Sequence, residues 1–172
     1  SGGSIKSSTA HGDTTNYANV ILSGTNVTLT APSTAGAYTF TGWTGDATSS
    51  NQTISFSITG TKTVTANYVI PTLTVNSSGA SGVSISSSTG HGGTTNYTKT
   101  MLSGTSVTLT APSTAGGNTF TGWTGDVISS DPTISVLMDV GKTVTANYTP
   151  SYILTVNSSG ASGVSITSST GH

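Results

Sequence analysis

The sequence predicts an all-β chain of tandem small antiparallel domains, about 80 residues per repeat. Three observations predict it. Landmarks recur at a fixed period of about 80 positions, with Trp43 returning at Trp123, Tyr68 at Tyr148 and His11 at His91. Thr, Val and Ile alternate with small polar residues, the pattern of half-buried strands. Turn residues interrupt that alternation roughly every ten residues, the rhythm of sandwich-like or small barrel-like domains. No window offers a helical period, and Thr, Ser and Gly all weaken helices.

The elements follow in order along the second, complete unit. Leu73-Thr-Val alternates apolar and polar residues, and Asn76-Ser-Ser-Gly-Ala-Ser-Gly supplies a turn. Val83-Ser-Ile85 resumes the alternation until Thr89-Gly-His-Gly-Gly93 breaks it. Val107, Leu109 and Ala111 share one face of the next strand. Pro112 ends it, because proline cannot donate to a ladder. A short helical turn near Thr114-Ala-Gly is the most helix that the sequence allows. Strands then run from Asn118 to Trp123, from Ile134 to Met138 and from Val144 to Tyr148. That makes roughly six or seven strands per unit. The units divide as residues 1–70 (repeat 1, lacking its first strand), 71–150 (repeat 2, complete) and 151–172 (the start of repeat 3, or a strand donated to the next subunit). A proline near each boundary, Pro71 and Pro150, stiffens a short connector.

Composition narrows the function classes. Only 5% of the 172 residues are charged, as four lysines and five aspartates without arginine or glutamate. A net charge of −1 offers no electrostatic footprint for nucleic acid and no basic face for an anionic membrane. No hydrophobic run has the length of a membrane span, so no membrane insertion is expected. Ser and Thr make up roughly two-fifths of the chain, yet the β-branched alternation separates it from a disordered segment. Cysteine is absent, which removes disulfides and thiolate metal sites.

Two segments carry a family resemblance: Thr119-Phe-Thr-Gly-Trp-Thr-Gly-Asp126, and Lys142-Thr-Val-Thr-Ala-Asn-Tyr148. With the Leu-Thr-Val strand and Val107-Thr-Leu-Thr-Ala111 before them, the chain resembles the divergent internalin B-repeat modules of bacterial surface proteins. The first repeat lacks only the leading strand of that pattern. The resemblance implies an extracellular, cell-surface or secreted, non-catalytic β-module used in tandem and often compared with the β-grasp fold. The stretch from His91 to Met101 is longer and more polar than that pattern, which speaks against the β-grasp helix. Two architectures stay open, sandwich-like and β-grasp-like without a substantial helix.

The residues that could carry chemistry each have a structural reading beside the functional one. Gly42, Trp43, Gly45 and Asp46, with Gly122, Trp123, Gly125 and Asp126, form a recurring turn motif. Phe40 and Trp43 differ in strand parity, so a bulge at Gly42 lets both face the core. The aspartate then accepts backbone N–H bonds and locks the turn. The functional alternative is sugar stacking on an exposed tryptophan. His11, His91 and His172 occur once per repeat beside glycine and read as loop histidines, since a metal needs several converging ligands. No Gly-x-Ser-x-Gly elbow appears, and of Asp126, Asp131 and Asp139 only Asp126 has a counterpart, Asp46. No enzyme, cofactor or metal is expected. Lys62 and Lys142 recur beside Asn67 and Asn147, which raises an isopeptide crosslink. Five residues apart on one strand, however, those side chains point to opposite faces, so any such bond reaches another strand.

The ends of the repeat are ragged. Ser1 corresponds to Ser81, and Leu154 repeats Leu73-Thr-Val-Asn-Ser-Ser-Gly-Ala-Ser-Gly one residue out of period. Donor-strand assembly would explain a spare tail strand beside an incomplete head. Residues 162–172 duplicate 1–11, however, and a window cut from a longer repeating chain explains that overlap more simply. The expected function is a structural tandem-repeat module of a bacterial surface stalk or filament. Its expected partners are neighbouring copies of the repeat, head to tail. The alternative is an adhesin or carbohydrate-binding repeat that meets glycans through Tyr17, Tyr38, Tyr97 or the tryptophans.

Overall fold

The computed structural model describes residues 4–167, and His172 lies outside them. The second unit shows why the alternating segments become sheets. Its nine strands are β7 (Thr72–Ser78), β8 (Ser84–Ile85), β9 (Gly93–Thr94), β10 (Tyr97–Thr100), β11 (Thr105–Thr110), β12 (Thr114–Ala115), β13 (Asn118–Gly125), β14 (Thr133–Met138) and β15 (Lys142–Pro150). One sheet has the order β10-β7-β15-β13-β12, and a second pairs β11 with β14. Leu73, Val75, Trp123, Val144, Ala146 and Tyr148 of the first sheet and Val107, Leu109, Ile134 and Val136 of the second are buried in one cluster. Period-2 alternation puts these side chains inward and the threonines between them outward. Across the outer face Thr110 and Thr133 meet at 2.9 Å through their hydroxyls. The result is a two-layer β-sandwich.

All pairing is antiparallel except that β7 runs parallel to β15, with Val75 beside Val144. A parallel neighbour demands a long crossover, and here the rest of the unit provides it. Where the sequence allows a helical turn near Thr114, the chain forms a hairpin instead. Gly116 and Gly117 both take positive φ, 58° and 81°, which suits a tight hairpin turn and ends the chance of a helix. The long polar stretch from His91 to Met101 forms β9 and the edge strand β10, whose Tyr97-Thr-Lys-Thr lies along β7. No helix occurs among the described residues, and none is long and apolar enough to cross a membrane.

The first unit repeats this plan with β1 (Lys6–Ser7), β2 (Asn26–Thr30), β3 (Thr34–Ala35), β4 (Tyr38–Gly45), β5 (Thr53–Ser57) and β6 (Val64–Val69). Its sheets are β3-β4-β6 and β1-β2-β5, and its core holds Ile5, Val27, Leu29, Phe40, Trp43 and Ile54. Among the described residues no strand stands where β7 stands in the second unit. Residues 17–20, the counterparts of β10, are unpaired coil as a consequence. Between the units the chain passes from β6 to β7 through Ile70 and Pro71 alone, and Pro71 is fully buried. Thr39 Oγ1 donates to Ser103 Oγ at 2.7 Å, and Ser103 N donates to Ala37 O at 3.2 Å, so the first unit's β4 is bonded to the second unit's loop.

Candidate functional site: the Gly-Trp-Thr-Gly-Asp turns

The two turns have nearly identical geometry. In β13 the register against β15 shifts between Phe120 and Gly122, and in β4 against β6 between Phe40 and Gly42. The extra residue resets the strand's parity, so that both rings of each pair turn inward. Phe40 meets Trp43 edge-on at 5.9 Å and Tyr68 at 5.5 Å. Phe120 meets Trp123 at 6.1 Å and Tyr148 at 5.6 Å in the same manner. Such T-shaped contacts set the positive ring edge against the negative face. The indoles are 4% and 1% exposed, and no ring of that burial can stack on a sugar. Trp43 Nε1 donates to Gln52 O at 2.9 Å and Trp123 Nε1 to Pro132 O at 3.0 Å, which satisfies the one polar atom each indole carries inside.

The glycine and aspartate of each motif hold the strand end to its neighbour. Gly125 has φ +104°, and a Cβ built there would lie 2.3 Å from Thr143 O. Only glycine lets the two backbones approach so closely. Directly after it, Asp126 N donates to Thr143 O at 2.9 Å, and the Asp126 carboxylate accepts from Thr143 N at 2.6 Å. Asp46 repeats this with Thr63, at 2.8 and 2.6 Å. A two-point clamp of this kind fixes register where the ladder ends. Replacing Asp126 by alanine is expected to destabilise the second unit by about 1–2 kcal/mol, the scale of one charge-assisted bond at an exposed site. Asp126→Asn keeps an acceptor and should cost less. Urea midpoints of the two variants and of the unmodified chain measure the difference, and an Asp126→Asn midpoint equal to that of the unmodified chain would mean the carboxylate's charge contributes nothing.

The remaining candidates are not brought together. Asn67 Nδ2 donates to Gly42 O (3.1 Å), Thr44 Oγ1 (3.1 Å) and Thr65 O (3.3 Å), and Asn147 makes the equivalent bonds. These amides brace the bulge from the neighbouring strand, a role that sequence reasoning missed. Lys142 Nζ lies 2.9 Å from Asp139 Oδ1, and its hydrogen bond holds that carboxyl below its usual range. Lys62 has Thr59 at the position of Asp139 and instead borders an open groove of its unit. His91 Nδ1 lies 3.0 Å from Thr89 Oγ1, while His11 Nδ1 is buried without a partner. Among the described residues no three His, Cys, Asp or Glu side chains converge on a metal position. Asp131 sits in an exposed turn, where its N–H bonds Ser129 Oγ at 3.0 Å. Tyr68 and Tyr148 donate to Pro32 O and Pro112 O, both at 3.0 Å, and burial raises the pKa of both phenols. Of the other tyrosines considered for glycans, Tyr17 in coil and Tyr97 on β10 are half-buried, and Tyr38 at the start of β4 is exposed.

The motif is therefore built to close a β-sandwich, and it recurs once in each unit. A search of curated proteins and one of solved structures both return no match. The family model described as "Divergent InlB B-repeat domain" matches twice, over residues 4–70 and 83–152.

Proposed function

The chain belongs to the divergent InlB B-repeat domain family, a bacterial surface repeat, and from that premise we propose that it is a structural, non-catalytic module of an extracellular stalk or filament. The observation that carries the reading is the junction. Two units of the same design are joined by only Ile70 and a buried Pro71, with the Thr39–Ser103 and Ser103–Ala37 hydrogen bonds beside the link. A two-residue, proline-containing connector limits the angles the units can adopt, as a spacer requires and a flexible tether does not. Low charge supports the same role, because a fold held by apolar cores and strand ladders depends little on salt. The adhesin reading loses its best residues, since both tryptophans face the core and Tyr38 has Asn118 as its counterpart.

Electron microscopy of the native assembly tests the proposal. Straight stalks or regular filaments with density continuous across the junctions are the expected result. Flexibly strung particles, together with a saturable glycan signal, would replace the spacer with the adhesin.

A further inference from the structure

We propose that the free edge of β14 pairs with the same edge of a second copy of this chain, antiparallel and about a two-fold axis, so that chains join side by side. β14 bonds to β11 on one side only. Ala111 N donates to Pro132 O and Gly104 N to Met138 O, both at 2.9 Å. Antiparallel bonds recur at every second residue, so Ile134, Val136 and Met138 direct theirs to β11. The N–H and C=O groups of Thr133, Ser135 and Leu137 therefore point outward, and among the described residues none of them has a backbone partner. A neighbouring unit leaves this edge open: β5, with a unit after it, and β14, with a unit before it, both pair on one side alone.

β14 differs from the other edges in having no guard. Exposed edges are normally blunted by lysine, by proline or by being very short. β1 carries Lys6, β10 carries Lys99 and β12 has only two residues. β14 reads Thr-Ile-Ser-Val-Leu-Met, with no charge, no proline and no register shift against β11. Its β-branched and apolar residues favour strand pairing. An apolar rim lies beside the free ladder. Leu137 is 56% exposed on the outer face and Val140 beyond it 45%. The Gly104 N to Met138 O bond brings the loop of Leu102, 64% exposed, to the same end. The first unit has Ser57 and Gly60 where the second has Leu137 and Val140, so β5 lacks that rim. Contiguous exposed apolar side chains mark an interaction site.

Ladder and charge together select the occupant. Only an extended backbone satisfies the outward groups of Thr133, Ser135 and Leu137, and only an uncharged strand meets them without desolvating an ion. A second β14 meets both needs. It arrives already ordered, without the entropy cost that a flexible peptide carries. One register uses every free group: centred on Ser135, it sets Ser135 against Ser135 and Thr133 against Leu137, with each facing pair exchanging two hydrogen bonds. The same two-fold brings Asp131 of one copy toward Asp139 of the other. Lys142 Nζ lies 2.9 Å from Asp139 Oδ1, so an ammonium is present where the two acids approach.

The absence of cysteine makes a clean crosslinking test. Facing residues of a hydrogen-bonded antiparallel pair have Cα atoms about 5.5 Å apart, within disulfide reach. Ser135→Cys is therefore expected to give a covalent dimer under mild oxidation, reversed by dithiothreitol. Ser106→Cys is the control, because Ser106 is exposed on the same face, 3.1 Å from Ser135 through their hydroxyls, but on β11. Across the seam two copies of it stand about 14 Å apart, three strand spacings. Equal crosslinking of the two overturns the proposal. Sedimentation of the 172-residue chain should show a monomer–dimer equilibrium that Leu137→Lys weakens about tenfold or more. Its thermal transition should stay in place, since Leu137 makes no part of the core. Ser135→Pro should act alike, because it deletes an outward N–H and leaves the bonds to β11 whole. A chain still monomeric at about 1 mM, where even weak association shows, overturns the proposal. So does an association that both variants leave intact. These failures leave the spacer reading standing, because a rod of one continuous chain needs no lateral partner. Flexible particles in the microscope would sink the spacer while leaving a positive Ser135→Cys dimer in force.

Discussion

Trp123→Ala is expected to destabilise the second unit by about 3–5 kcal/mol, the cost of emptying a large aromatic site in a packed core. A single core of this size rarely supplies more than about 3–5 kcal/mol, so the variant should populate the unfolded unit without denaturant. The ring is 1% exposed, and its removal takes the partner from the edge of Phe120 and takes one of two donors from Pro132 O, which keeps the Ala111 N–H. Trp123→Phe keeps most of the volume and should recover part of the loss. The experiment has a built-in reporter, because Trp43 and Trp123 are the only two tryptophans. In Trp123→Ala, fluorescence follows the first unit through Trp43 while far-ultraviolet circular dichroism follows both. A far-ultraviolet loss with unchanged Trp43 emission is the expected pattern. A shift below about 1 kcal/mol would be that of a surface ring and would return the indole to ligand binding.

That prediction rests on a feature legible in the sequence. Phe120 and Trp123 differ in parity, so both can face a core only if a residue is bulged out between them, and the register shift falls there. Likewise Leu73, Val107, Ile134 and Val144 announced their strands by alternation, because one face of each is buried and the other solvated. What alternation could not announce is an edge. β10 is Tyr97-Thr-Lys-Thr, and nothing in its composition separates it from a loop; it is a strand because β7 offers it a ladder. The proof is internal, since residues 17–20 lack that ladder and remain coil. The hairpin at Gly116-Gly117 was hidden for a related reason: two-residue strands carry too few side chains to show a period. Asn147 was missed because its role, bracing Gly122 O from the next strand, depends on register between segments far apart in sequence. The family resemblance and the repeat were local and countable, and the groove was not, since it is defined by a strand that pairs across whole units.

In a chain of residues 1–172 the first unit, whose β6 has no described strand beside it as β15 has β7, is expected to open before the second, and the margin measures what β7 contributes. Burying Leu73 and Val75 fully is worth about 1.5–3 kcal/mol each relative to leaving them exposed. The strand also closes the ladders of β15 and β10 and carries Val144, Ala146 and Tyr148 from half-buried to buried. Against these gains stands the ordering of a short segment, which the two-residue link from β6 already restrains. In dilute solution, urea should therefore resolve two transitions, with the earlier one reported by Trp43. Hydrogen exchange at β6 and residues 17–20 should outpace that at β15 and β10. Leu73→Ala, at about 2–5 kcal/mol, should move the second transition toward the first and leave the first unchanged. Added peptide of residues 152–161 should do the converse, raising the earlier midpoint alone. Coincident midpoints in that chain would mean that β7 carries little of the second unit's stability.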